Sequence, residues 1–165
     1  MRNELLSRGM RIELARRADA AAIAALSRDL IETGLGWSWR TGRVLHAIDN
    51  PEAVVIKLVS GPALVGFAIM RFGFEEAHLD LLAVRPEFRR FGNGAALVRW
   101  LEVSALTAGI SIVRLELRRT NASARRFYAR LGYSPCRVAA GYYQGREDAV
   151  QMARDLWCDL PISTT

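Results

Sequence analysis

Residues 77 to 117 constrain the fold most. An apolar strand pattern from Ala77 to Val84 stops before Pro86, which cannot continue a ladder in mid-sheet. The turn Arg89-Arg90-Phe91-Gly92-Asn93-Gly94 follows. A helical pattern then runs from about Gly94 to Thr107, with Leu97, Leu101 and Val103 among its apolar positions. Ser111 to Leu117 returns to the two-residue alternation of a half-buried strand. A strand, a helix and a strand in that order give a parallel pair with a right-handed crossover.

The flanking segments supply antiparallel partners. Arg11 to Leu14 alternates as a strand, and Asp19 is placed to cap a helix bearing Ile23, Leu26 and Leu30 and ending at Gly34. A short helix with Val44, Leu45 and Ile48 stops at Asn50-Pro51. Ala53 to Val59 and Ala63 to Phe72 are strands joined through Ser60-Gly61-Pro62. Asn121 or Ala122 opens a helix that ends at Leu131-Gly132. Tyr133 to Ala139 and Asp148 to Leu156 are two last strands, joined by a loop rich in Gly and Tyr. The order is β-α-α-β-β-β-α-β-α-β-β, an α/β (α+β) fold with one mixed sheet. The 165 residues make a single domain, with residues 1–9 an extension and Met10 an alternative start.

Composition excludes several classes. The chain is 51% hydrophobic and 24% charged, too apolar for a disordered protein. No uncharged apolar run approaches the ~20 residues of a membrane span. The first thirty residues carry acids and arginines throughout, unlike a secretory leader, so a cytoplasmic protein is expected. Cys136 and Cys158 match no metal or redox spacing, and only His46 and His78 are present, so no metal site is expected.

Charge is informative once located. Net charge is +6, and 22 of 23 bases are arginine, with Lys57 the sole lysine. Arg85 to Arg130 holds ten arginines against Glu87, Glu102 and Glu116, an excess of seven, while the remainder sums to −1. A basic segment of this kind suits a phosphate-bearing cofactor or a nucleic acid.

The glycine turn lies inside that segment. Glycines allow unusual dihedrals and close approach of a ligand. The N–H groups of Gly92, Asn93, Gly94 and Ala95 have no intrahelical partners at a helix start, and the helix dipole favours an anion there. Arg89 and Arg90 add charge at the rim. Taken alone, the pattern fits an ordinary glycine turn equally well. It is neither a P-loop, lacking Gly-Lys-Ser/Thr, nor a dinucleotide fingerprint, lacking the third glycine.

A second stretch decides between these readings. Leu115 to Tyr133 contains a strand followed by Asn121-x-x-Ala124-x-x-Phe127-Tyr128-x-x-x-Gly132-Tyr133. It closely resembles the GNAT superfamily of acyl-CoA-dependent N-acetyltransferases. Leu82-Ala83-Val84-Arg85-Pro86 with R-x-x-G-x-G resembles the same superfamily's earlier motif. Asn93 departs from it, standing where an aliphatic residue is usual, but leaves the backbone donors intact. The Leu-Glu-Leu-Arg context of Glu116, and Gly141-Tyr142-Tyr143-Gln144-Gly145-Arg146 with Met152, resemble bacterial ribosomal-protein N-terminal alanine acetyltransferases.

The resemblance implies acetyl-CoA as donor and a sheet splayed after its fourth strand. It implies that the backbone of Leu82, Ala83 and Val84 pairs with the pantetheine arm, the Val84 N–H facing the thioester carbonyl. It implies that the turn from Arg89 through Phe91 to Ala95 holds the pyrophosphate, and that Asn121 bonds the pantetheine or orders the splay. Tyr128 is implied as general acid. Glu116 is either the general base or a strand glutamate paired to Arg114 or Arg118, a water chain being the other base. Tyr142 and Tyr143 would grip a substrate backbone, or be exposed turn residues. Trp37 and Trp39 would line the acceptor pocket or cover the core, with Glu32, Glu75 and Glu76 near its mouth. His78 reads as a core or solvent-facing side chain and His46 as packing.

The expected activity is transfer of acetyl to a primary amine, a protein N-terminus being favoured. Small amines are the alternative acceptor, and nucleic-acid binding through the arginines or a catalytically silent acyl-CoA sensor the alternative functions. The expected partner is the amine acceptor, a homodimer is compatible, and membrane and nucleic acid are not expected.

Overall fold

The computed structural model describes residues 9–159. Residues 1–8, most of the stretch read as an extension, lie outside the described residues. Seven strands and four α-helices follow the expected order. The strands are β1 (Met10–Leu14), β2 (Ala53–Ser60), β3 (Ala63–Phe72), β4 (Glu76–Val84), β5 (Ile112–Arg118), β6 (Ser134–Tyr143) and β7 (Glu147–Asp155). The helices are α1 (Ala20–Leu30), α2 (Thr41–Asp49), α3 (Asn93–Thr107) and α4 (Ala122–Arg130). The sheet order is β1-β2-β3-β4-β5-β7-β6, so the β4-α3-β5 crossover joins sheet neighbours. The resulting fold is mixed α/β. No helix among the described residues is long and apolar enough to cross a membrane.

Contacts divide the chain into two compact units. The first runs to Arg71 and resumes over Leu79–Leu101. Its β1, β2 and β3 are antiparallel neighbours, Ile12 opposite Leu58 and Ile56 opposite Ala68. In β3, Val65, Phe67, Ala68, Ile69 and Met70 are buried, as a strand covered on both faces requires. Ile23, Ala24 and Leu26 of α1, Val44 and Ala47 of α2, and Trp39 join Val55, Phe67, Ile69 and Leu81 in one core. Each large side chain there contributes about 1.5–3 kcal/mol.

Asp19 differs from its expected capping role. Its side chain makes no cap bond to α1. One carboxylate oxygen accepts from the Arg16 backbone N–H at 2.7 Å, the other from Lys57 Nζ at 3.0 Å. A 3-10 turn over Arg17–Asp19 precedes the helix and moves Asp19 out of cap geometry. Val103 also departs from its expected apolar face, for it is exposed on α3.

The second unit comprises Phe72–His78 and the chain from Glu102 onward. β5 pairs antiparallel with β7, Glu116 opposite Gln151, and β7 pairs antiparallel with β6. Glu76 bonds Arg114 and His78 bonds Glu116, both 38 residues apart, so β4 and β5 run parallel there. Val113, Leu115, Leu117, Val150 and Met152 are buried on one face of these strands. The strand β6 runs farther than the alternation predicts. Tyr142 and Tyr143 end a strand instead of lying in a loop, and the turn is confined to Gln144–Arg146. An irregularity between Ala139 and Tyr143 absorbs the change of register around Gly141, whose φ is +62°.

Gly66 marks a close strand approach in the first unit. A Cβ there would lie 2.7 Å from the Ala83 carbonyl oxygen and 3.4 Å from Val84 Cα. Gly66→Ala is therefore expected to cost about 1–3 kcal/mol, measured by urea denaturation. An unchanged midpoint would show that β3 and β4 part there without cost.

Candidate active site

The turn after β4 takes its shape from two local constraints. Proline at residue 86 starts a 3-10 turn over Pro86–Phe88. Arg90 and Gly92 then adopt positive φ, +66° and +78°, which bends the chain sharply into α3. Arg89 Nε donates to the Val84 carbonyl at 2.7 Å, tying the turn to the end of β4. Asn93 is 1% exposed, and its Nδ2 donates to the Phe88 carbonyl at 2.8 Å. This explains the departure at Asn93: the amide braces the turn from inside. Gly92, Arg89, Arg90 and Phe91 are exposed, while Gly94 and Ala95 are half-buried in the first turn of α3. No acid occupies that turn. Backbone donors at a helix start and two exposed arginines fit the diphosphate of coenzyme A.

Leu82, Ala83 and Val84 end β4, with Ala83 and Val84 buried and Leu82 half-buried. The Arg85 backbone N–H donates to the Val65 carbonyl at 2.8 Å and its Nε to the Leu64 carbonyl at 3.0 Å, fixing this strand end to β3.

Trp37 and Trp39 sit on the loop between α1 and α2. Trp39 is buried in the core, and Trp37 packs partly against it. The Arg28 and Arg40 guanidiniums lie 5.3 and 5.1 Å from the Trp37 ring centroid, and its Nε1–H donates to the Trp39 carbonyl. Glu32, expected near a pocket mouth, is buried instead. Its carboxylate accepts from the Ser38 backbone N–H and Oγ, the Trp39 backbone N–H and Ser27 Oγ. A buried carboxylate needs such donors, and here they set the shape of the loop.

The second unit carries Glu116, Asn121, Tyr128, Tyr142 and Tyr143. Asn121 caps α4, its Oδ1 accepting the Ala124 N–H at 3.0 Å. That cap starts the helix that bears Tyr128. The Tyr128 ring meets Phe127 and Tyr133 edge-on at 5.0 and 5.6 Å. Burial pushes the Tyr128 phenol up from its ordinary value, so it keeps its proton through the neutral range.

Glu116 projects from the half-buried face of β5, its side chain 9% exposed. One carboxylate oxygen bonds His78 Nε2, and the other accepts from Gln151 Nε2 at 2.8 Å. Arg114, an expected partner of Glu116, pairs with Glu76. Arg118 Nη1 reaches Glu147 at 3.5 Å, and its guanidinium lies 6.0 Å from the Tyr143 ring centroid. Among the described residues Glu147 Oε2 is buried without a hydrogen-bond partner. The Tyr142 and Tyr143 rings meet edge-on at 5.0 Å. Burial, with the charges of Tyr142 and Glu116 behind it, pushes the Tyr143 phenol up.

One strand face thus brings Glu116 together with His78, Gln151, Glu147 and Tyr143. Sequence reasoning missed His78, Gln151 and Glu147. His78 alternates with buried Ala77 and Leu79, so its face was legible. Its partner was not, because the offset of parallel neighbours is no local property of the sequence. Among the described residues no cluster of three or more His, Cys, Asp or Glu could hold a metal.

Residues 19–133 match the acetyltransferase (GNAT) family. The chain is 37% identical over 147 residues to a [ribosomal protein bS18]-alanine N-acetyltransferase of Salmonella typhimurium, covering 81% of this chain and 95% of that one. The crystal structure of the ribosomal-protein-S18-alanine N-acetyltransferase from Escherichia coli has the same fold, with TM-score 0.78 at 24% identity over 94% of this chain and 98% of that one. A PaiA N-acetyltransferase of Thermoplasma acidophilum, solved with coenzyme A, gives TM-score 0.78 at 18% identity over 91% and 99% of the two chains.

Gly92 offers a direct test of the turn. Forcing a β-branched side chain to φ +78° costs on the order of 1–2 kcal/mol and obstructs the backbone donors. Gly92→Val is expected to weaken acetyl-CoA binding at least about tenfold by titration calorimetry. Undiminished affinity would remove the diphosphate from this turn.

Proposed function

The chain belongs to the acetyltransferase (GNAT) family, and we propose from this premise that it acetylates the α-amine of a protein N-terminus. The observation that carries the acceptor reading is the β5-β7-β6 face. There Glu116 is held between His78 and Gln151, the buried Glu147 Oε2 lacks a donor, and Tyr143 lies alongside. A peptide N-terminus brings an ammonium and backbone N–H groups, which are the donors such a face can receive. The 37% identity to the bS18-alanine enzyme over most of the chain supports the same acceptor class.

Bound acetyl-CoA supplies an electrophilic acyl carbon and a thiol leaving group. An ammonium ion has no lone pair, so the chain must take its proton before attack. In this reading Glu116 does so, its two oxygens fixed by His78 and Gln151 so that the carboxylate keeps one orientation. The backbone of Leu82, Ala83 and Val84 aligns the donor arm, with the Val84 N–H facing the acyl oxygen. The turn from Arg89 to Ala95 holds the diphosphate end. Tyr128 keeps its proton on Oη, because burial disfavours the phenolate, and serves as donor to the departing sulfur. Tyr142 and Tyr143 contact the first residues of the acceptor. Holding both reactants in attack geometry supplies much of the rate.

Thiol release from acetyl-CoA, with product mass, tests the acceptor. Peptides with N-terminal alanine are expected to be acetylated on the α-amine, and a panel of polyamines, amino acids and aminoglycosides to be poor acceptors. Turnover on small amines alone would overturn the protein-acceptor reading and leave the donor site intact. Tyr128→Phe is expected to lower kcat by about 10²-fold while leaving acetyl-CoA affinity within about twofold. An unchanged kcat would remove Tyr128 from the acid role.

A further inference from the structure

We propose that Glu147 selects the acceptor, by pairing with a cationic side chain within the acceptor's first few residues. The inference rests on the reading of a protein N-terminus whose amine lies at Glu116, and it adds the chemistry of the residues behind that amine. Glu147 opens β7 directly opposite Tyr143, and Glu116 of β5 stands opposite Gln151. Partners across a ladder share a face, as do alternate residues along a strand. Glu147, Ala149 and Gln151 therefore line the same face as Glu116 and Tyr143. Between its two polar ends β7 places only the methyl group of Ala149 there.

Two adjacent acids open β7, and the fold uses only one of them fully. Asp148 accepts the Gly141 N–H at 3.0 Å and Arg119 Nη1 at 3.3 Å, which helps to close the turn. Glu147 points to the other face. There Arg118 Nη1 reaches Oε1 only at 3.5 Å, and among the described residues Oε2 is buried with no hydrogen-bond partner. Tyr143, across the ladder, does not supply the missing donor. A covered carboxylate oxygen without a donor carries its full desolvation cost, which a ligand bringing that donor would relieve.

Spacing decides which donor arrives. Gln151 and Glu147 are about 13 Å apart along an extended strand. A peptide laid extended on this face, with its amine at Glu116, spans that distance in about four residues. The amine itself therefore stays at Glu116, and the donor for Glu147 comes from farther along the acceptor. An arginine or lysine there reaches over the remaining gap on its methylene stem. The Glu147 side chain is 34% exposed, so it is open to such a partner. Rotation about its last bond, which has no sharp rotamer, presents Oε2 to the cation. A charge-assisted bond of this kind is stronger than the one a neutral side chain or a backbone N–H would make.

The test uses the full chain, acetyl-CoA and short amidated peptides that begin with alanine. Each peptide is otherwise uncharged and carries one arginine at residue two, three or four, or none. One placement is expected to raise kcat/KM at least about tenfold over the arginine-free peptide, through KM and not kcat. Glutamate at that placement is expected to lower kcat/KM below the arginine-free value. In Glu147→Gln the ratio between the arginine and arginine-free peptides is expected to fall to about one, and in Glu147→Arg the glutamate peptide is expected to become the better acceptor. A residue that only braced the turn would slow every peptide alike and keep the parent's ratio, which would overturn the proposal. Equal kcat/KM for all peptides in the parent would overturn it as well, and would leave the protein-acceptor reading standing. Acetylation of small amines with no peptide turned over would remove that reading, and the proposal with it.

Discussion

The buried carboxylate of Glu102 is the interaction on which the second unit depends. Charge out of water must be met by donors, or its desolvation costs several kcal/mol. Glu102, on α3, accepts from the Tyr133 hydroxyl at 3.0 Å and from Arg154 Nη1 of β7 at 3.0 and 3.2 Å. Three separate parts of the chain therefore meet at one anion. Burial, with the Glu102 charge behind it, pushes the Tyr133 phenol up and keeps it a donor. Gly132, at φ +94°, makes the turn that delivers Tyr133, and a Cβ there would press on Arg154 Nε at 3.0 Å. The Tyr133 ring in turn abuts Tyr128. The position of the proposed acid thus follows from a carboxylate that takes no part in the reaction.

A similar device shapes the first unit. Glu32 collects the donors of Ser27, Ser38 and Trp39 and replaces the ladder bonds that a loop cannot make. In both units a buried acid organises backbone around it. The sequence marks such acids only as charges in apolar surroundings, which is why Glu32 reads as a candidate pocket residue until its donors are seen.

Much of the fold was legible because periodicity is local. The apolar run of β3 from Ala63 to Met70, the alternation of β5 and the helix after the glycine turn all lie where the pattern puts them. The misreadings occur where a neighbour overrides the pattern. Gly141 and the tyrosines signal a loop, yet pairing of Tyr143 with Glu147 carries β6 through them. Asp19 looks like a cap until Lys57, distant in sequence, claims one of its oxygens. For the site, the glycine turn and the Tyr128 helix were readable as motifs. His78 and Gln151 were not, because each acquires meaning only from what the sheet sets beside it.

The lysine count has a further consequence. An enzyme that hands acetyl groups to amines is surrounded by its own ε-amines, which are chemically competent acceptors when neutral. This chain has one, Lys57, and its Nζ lies 2.9 Å from Asp19 with the side chain 14% exposed. Its other cations are guanidiniums, which stay protonated and are poor nucleophiles. The positive surface is thereby almost exempt from the modification its owner performs, so its charge would hold steady even where acyl donors are abundant.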